Sequence, residues 1–325
     1  MTAVKTARQR QPLISWLDRI QQRIAHVYDT LYSTRNREKI ERFIIYLAVI
    51  GFLVHLFGIF LGRNVPALAP MGDVFGTFYL SAIYTPFSFI LFYEVLILVL
   101  SIPESTTLAL ATQFEIISLI ILRNVFKDLA RFENLEQIAQ QTDIFVNILW
   151  KMGGGLLLFL MVTIFHHISH HRTHQEQEMG LPSPGLQRFV ERKKIIALII
   201  SILLVAMEIV SIATWGFSSY LVVFAGVAPE TISIDKFYVN LFTILIFTDV
   251  LILMLSLLQC NHYHLVIRNA GFVIATILLR ISLAAARPYD IILALVAAVF
   301  AILMLVIYKY SAQIKASHTA PWIDH

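Results

Sequence analysis

Long apolar runs broken by short polar stretches make up most of the chain. Eight of them are long enough to cross a bilayer as helices: roughly 43–62, 77–101, 106–125, 145–168, 195–225, 238–258, 265–284 and 290–309. Ahead of the first lies QPLISWLDRIQQRIAHVYDTL, in which Leu13, Leu17, Ile20, Ile24, Val27 and Leu31 recur at three- and four-residue spacing. Arg19 and Arg23 lie away from that stripe, so the segment predicts an amphipathic helix lying on a leaflet or against the bundle. Pro86 within YTPFSF predicts a kink in the second span, and the GGG at 153–155 predicts a close helix approach.

The expected fold class is therefore an all-α polytopic membrane protein with eight transmembrane helices. A composition 58% hydrophobic and 14% charged, with mean hydropathy +0.74, makes the bilayer the solvent. Lys and Arg concentrate in the N-terminal arm, from Lys5 to Arg42, and in the loop after the fourth span, at Arg172, Arg188, Arg192, Lys193 and Lys194. The positive-inside rule then puts both termini in the cytoplasm, and no cleavable signal peptide is expected before residue 43. The single Cys260 rules out an intrachain disulfide, and the net charge of +4 belongs to arms near anionic lipid rather than to nucleic-acid binding.

The chain also repeats itself. FYEVLILVLS at 92–101 returns as FTDVLILMLS at 247–256, which puts Glu94 in register with Asp249. IILRN (120–124) matches ILLRI (277–281), aligning Arg123 with Arg280, and DIFVNILW at 143 matches DIILALVA at 290, aligning Asp143 with Asp290. Two tandem parallel four-helix repeats follow, related by an axis along the membrane normal. The expected organisation is a basic arm (1–42), a first repeat (43–168), a His-rich and basic linker (169–194), a second repeat (195–310) and a tail (311–325). GLPSPG at 180–185 reads as the turn-rich part of that linker.

In the second copy an intramembrane acid is followed by HYHLVIR, ILLR and RPYD. That order resembles the phosphate-starvation-inducible PsiE family of small four-span bacterial membrane proteins. Asp249, His264, Arg268, Arg280 and Asp290 fit the family pattern in order and spacing, over about 237–309. In the first copy Glu94, Arg123 and Asp143 survive, while Thr107 and Ala111 replace the His and Arg. The resemblance implies a bacterial inner-membrane protein built as a fused double unit, and leaves its substrate open.

Depth along straight helices suggests partners. With a turn near Asn261, Asp249 lies about 18 Å from it, Arg268 about 10 Å and Arg280 close to 30 Å. The expected pairs are thus Asp249 with Arg268 in an inner layer, and Arg280 with Asp290 in an outer one. Arg123 would pair with Asp143 likewise, leaving Glu94 at the level of Gln113 and Glu115 without a cation. Two acids at one depth favour protonation of each other, as proton carriage requires. Glu208 and His55 are candidates to extend such a file. The alternative is structural, because a lone charge at the bilayer centre costs about 2.5–3.5 kcal/mol and needs a partner.

The fourth span ends FHHISHHRTH, and His166, His167, His170, His171 and His174 recur at spacings that suit a Zn²⁺ or Cu²⁺ site on a continuing helix. One such box falls short of the several that membrane di-iron desaturases need. The bland reading is a polar cap that becomes cationic below about pH 6.5. No P-loop, G-x-S-x-G or zincin helix occurs, so an enzyme is not expected. No cofactor is expected beyond that candidate divalent metal. Two functions stand: a permease or channel for protons or ions using buried carboxylates, or a non-transporting subunit or stress sensor docking a partner through its arm. The bilayer is the first partner, and a homo-oligomer or membrane complex is open.

Overall fold

The computed structural model describes residues 19–129, 142–170, 184–226, 234–257 and 263–319. All regular structure among them is helical. A first helix, α1 (19–31), leads into α2 (Thr34–Asn64), a 3₁₀ turn (Pro66–Leu68), the short α3 (Met71–Phe75) and a second 3₁₀ turn (Tyr79–Ile83). Then come α4 (Tyr84–Leu100), α5 (Thr106–Leu129), α6 (Thr142–His170), α7 (Pro184–Tyr220) with a π turn (Leu221–Ala225), α8 (Ile234–Leu257), α9 (Tyr263–Ala284) and α10 (Tyr289–Thr319).

Helix ends follow local chemistry. α2 stops at Asn64 because Val65, ahead of Pro66, is extended. Ser105 caps α5, its Oγ accepting the Leu108 N–H at 3.3 Å. α7 begins at Pro184, whose missing N–H costs nothing at a first helical position. The helix therefore reaches back into the segment read as linker. Pro86 behaves differently from the expected mid-span kink. It is the third residue of α4, in the first turn, where a 3₁₀ turn gives way to α-helix and an interior hydrogen bond is not lost.

Seven helices of the described residues are long and apolar enough to cross a membrane. In α8 the apolar stretch among described residues, Leu241–Leu255, is shorter. Wide apolar faces point outward, with Phe43, Tyr46, Leu53 and Phe57 on α2, Leu156 and Leu160 on α6, Ile199 and Ile209 on α7, and Leu303 and Ile307 on α10 all exposed. No soluble monomer tolerates patches of this extent, so hydrocarbon covers them: this is a multi-pass integral membrane protein.

Inside, α2 packs on α4, α4 on α5 and α5 on α6, while α7 packs on α8, α8 on α9 and α9 on α10. The two groups meet through α6 with α10, α5 with α9, and α4 with α7. One apolar core gathers Val95, Leu98, Ile116, Leu204, Leu241 and Leu245. The other gathers Phe114, Ile117, Leu158, Phe165, Phe272 and Leu279 against Ala294, Ala297, Ala298 and Ala301 of α10. That alanine face lets α10 approach its neighbours closely. α5 contributes to both cores and is the most enclosed of the apolar helices.

α1 docks on a different face from the apolar stripe expected of it. Ala25 and Tyr28 are buried, and the Tyr28 hydroxyl donates to Leu100 O at 2.9 Å. Tyr32 donates to Ser201 Oγ at 2.8 Å, and Asp29 pairs with Lys194 at 2.6 Å. Val27 and Leu31, which belong to the stripe, are exposed. At 100° per residue the docked face and the stripe lie about a quarter-turn apart, and the stripe meets the bundle only at its near edge, where Ile24 packs partly buried against the first core.

Candidate functional site: buried ion pairs and two polar chambers

Each half of the bundle buries one acid against one arginine. On α4, Glu94 contacts Arg123 of α5, and both are almost fully enclosed. On α8, Asp249 lies 2.7 Å from Nη1 of Arg280 of α9, whose side chain is 0% exposed. These contacts overturn the expected layers. Asp249 pairs with Arg280, neither with Arg268 nor through an Arg280–Asp290 contact, and Arg123 pairs with Glu94 rather than Asp143. Counting rise from the turn assumes straight, parallel helices starting at one level. The Asp249–Arg280 contact means that α8 and α9 do not meet that condition, and a long guanidinium covers part of the difference. Nε and Nη2 of Arg280 find no hydrogen-bond acceptor among the described residues.

Two chambers, one polar and one mainly apolar with polar groups set into it, flank this region, both walled by α5 and α9. The larger, about 500 Å³, opens where α9 turns into α10 and is lined by Asn124, Asp128, Asn147, Lys151, Arg287 and Asp290. Asp128 is buried there, accepting from Lys151 at 2.6 Å and from Asn147 at 2.7 Å. The smaller, about 50 Å³, has a mainly apolar wall that includes Ile102, Leu110, Ile252 and Phe272, into which Asp249, Lys193, Gln113, Asn269, Thr106 and Thr276 are set. Between the two, Ile117 of α5 and Leu279 of α9 belong to one buried apolar cluster. Asp249 belongs to the smaller chamber, and Arg280 sits on α9 between Thr276 of the smaller and Ser282 of the larger.

The remaining candidates are dispersed. Glu115 does not approach Glu94; it points from another face of α5, half-exposed, and meets Nε2 of His166 at 2.9 Å. Gln113, two residues earlier, turns to the opposite side and is buried in the small chamber. Arg268 lies over the Tyr308 ring at 4.5 Å and bonds Asn269. Asp143 contributes its backbone oxygen to Arg287 at 3.2 Å, and Asp290 accepts the Ile291 N–H at 2.9 Å. His55 is held by Thr85 Oγ1 and by Phe75 O. Glu208 on α7 is half-buried, with no ion pair among the described residues. Of the histidine cluster, His166 and His167 are described; the side chains of His170 and His264, and His171 and His174 entirely, lie outside the described residues. Among the described residues no group of three His, Cys, Asp or Glu side chains could hold a metal ion.

Three charged groups escaped the sequence reading: Lys193, Asp128 and Lys151. Lys151 carried a usable signal, a lone cation inside the apolar run ILWKMGGG, and Asp128 follows Arg123 by little more than one turn. Lys193 belongs by its neighbours to the basic linker, yet α7 already includes it. It is buried instead, donating to Glu104 O at 2.6 Å.

No family model, no curated protein and no solved structure matches the chain.

Proposed function

We propose that the protein is a permease for a small ion, built from two tandem four-helix units of the PsiE type and seated in a bacterial inner membrane with both termini in the cytoplasm. The carrying observation is the pair of chambers on α5 and α9, one polar and one a small pocket holding Asp249 and Lys193, with the buried Asp249–Arg280 pair between them. A carrier open to one side and closed to the other needs such an arrangement. Arg280 adds two buried donors without acceptors, which an ion or its water shell would satisfy. Duplication is supported by the Glu94–Arg123 and Asp249–Arg280 pairs, which occupy matching places in the repeated text. It is supported also by the contacts of α5 with α9 and α6 with α10, each helix meeting its own counterpart. The exposed Val27 and Leu31 stripe on α1 suits an interfacial position on the inner leaflet. Pairing of Glu94 with Arg123 removes the argument for a file of cation-free acids, so proton carriage through Glu94 and Glu115 is not part of this reading.

A non-transporting membrane subunit or stress sensor is the second reading, favoured by the fact that each buried acid–cation pair also ties two helices together. Charge movement in proteoliposomes on a solid-supported membrane separates the two. Protons, K⁺, Na⁺, chloride and phosphate are applied in turn. A transient current with one of them, lost in monodisperse Asp249→Asn and kept in Asp249→Glu, is expected. Silence across the panel, or an unchanged current in Asp249→Asn, would sink the permease.

A further inference from the structure

A groove of about 590 Å³ belongs to neither chamber and has a graded lining. It runs along one face of α5, through Thr112, Glu115, Ser118, Leu119 and Leu122, which recur at three- and four-residue spacing. From Thr112 to Leu122 this face extends about 15 Å. The end near the α4–α5 turn is polar and charged, with Arg37 at the foot of α2 and Glu104 in the turn, while Glu115 lies about two and a half turns into α5. The far end is apolar, walled by Leu119, Leu122 and Phe159, of which Leu119 and Phe159 are about half exposed to the lipid side.

The charges at the mouth define what fits. Arg37 offers a cation, while Glu104 and Glu115 offer two acids. His166 already faces Glu115, whereas Oε2 of Glu104 is shielded and has no donor among the described residues. Burial pushes the Glu104 carboxyl up, opposed by Arg37 and Lys193, so this acid lacks a sufficient close donor. A suitable occupant carries a phosphate for Arg37, an N–H cation for Glu104 and an acyl chain for Leu119, Leu122 and Phe159. We infer that this groove is a binding site for a phospholipid bearing a primary ammonium headgroup, phosphatidylethanolamine in chemical class. A choline headgroup has the charge but no N–H, and a glycerol headgroup has donors but no cation. The site is independent of the permease reading, because none of its lining residues lines either chamber.

The test uses the full chain in mild detergent, equilibrated with phosphatidylethanolamine, phosphatidylcholine or phosphatidylglycerol of identical acyl chains, with retained lipid measured by native mass spectrometry. Phosphatidylethanolamine is expected to be retained about tenfold over phosphatidylcholine, the discrimination that one charge-assisted hydrogen bond supplies. Glu104→Gln should bring phosphatidylethanolamine retention down to the phosphatidylcholine level, whereas Arg37→Gln, which removes the contact to the shared phosphate, should lower retention of all three lipids. Leu119→Trp, a filling substitution at a half-exposed wall position, should abolish retention while the protein stays monodisperse. Equal retention of the three lipids, a preference for phosphatidylglycerol, or retention unmoved in both charge variants would overturn the site.

Discussion

Asp249 and Arg280 form the most enclosed ion pair among the described residues, and their energetics are asymmetric. Desolvating both charges is expensive, and their mutual attraction repays it only while both remain. Removing Asp249 strands a guanidinium that is 0% exposed and already has two donors without acceptors. Asp249→Asn is therefore expected to destabilise the fold by about 3–5 kcal/mol, whereas the double replacement Asp249→Leu with Arg280→Met should come within about 1 kcal/mol of wild type. Reversible unfolding in mixed micelles, run as a double-mutant cycle, measures both. A double variant as unstable as the single one would mean that the pair contributes by packing rather than by charge.

At the scale of elements, the sequence made the helices legible and their relative placement only partly so. Apolar runs long enough to span are a one-dimensional property, and α2, α4–α7, α9 and α10 appear where those runs lie. Asp249, Arg280 and Glu94 are recognisable as buried charges for the same reason, since each stands alone among apolar neighbours, and Arg123 is recognisable by its register with Arg280. Their pairing was not recognisable, because it depends on how two helices are offset. Counting at a fixed rise cannot supply that offset. The 153–155 glycines show the same division. The run predicts close approach, yet the structure distinguishes its members. A Cβ on Gly154 would collide with Ile291 of α10, one on Gly155 would come within 2.8 Å of Leu122, and one on Gly153 would meet nothing. Gly154→Leu should accordingly cost about 1–3 kcal/mol by overpacking the α6–α10 contact. Gly153→Ala should be neutral or stabilising by up to about 1 kcal/mol through helix propensity. Thermal denaturation of the two variants side by side checks the contrast, and equal losses would show that α6 and α10 are not in contact there.

For the whole molecule, the decisive property is whether the two chambers belong to opposite sides of the membrane. α5 and α9 run along both, and the buried apolar side chains of Ile117 and Leu279 lie between them. α1 ties the ends of the two halves on the side of the smaller chamber, through Tyr28 to Leu100 of α4 and Tyr32 to Ser201 of α7. Relative movement of the halves would then start at the larger chamber, where Arg287 and Asp290 of the α9–α10 turn face Asp128 and Lys151 across the α5–α9 and α6–α10 seam. Cysteine accessibility tests this arrangement on intact membranes, in a Cys260→Ser background that removes the one native thiol. Asn124→Cys, in the larger chamber, should react with a membrane-impermeant maleimide added from outside. Thr106→Cys, in the smaller one, should resist it and react when the reagent is supplied to inverted vesicles. Reaction of both from the same face would mean that these apolar side chains do not divide the membrane, and the two chambers would then be pockets of a static bundle rather than the ends of one route.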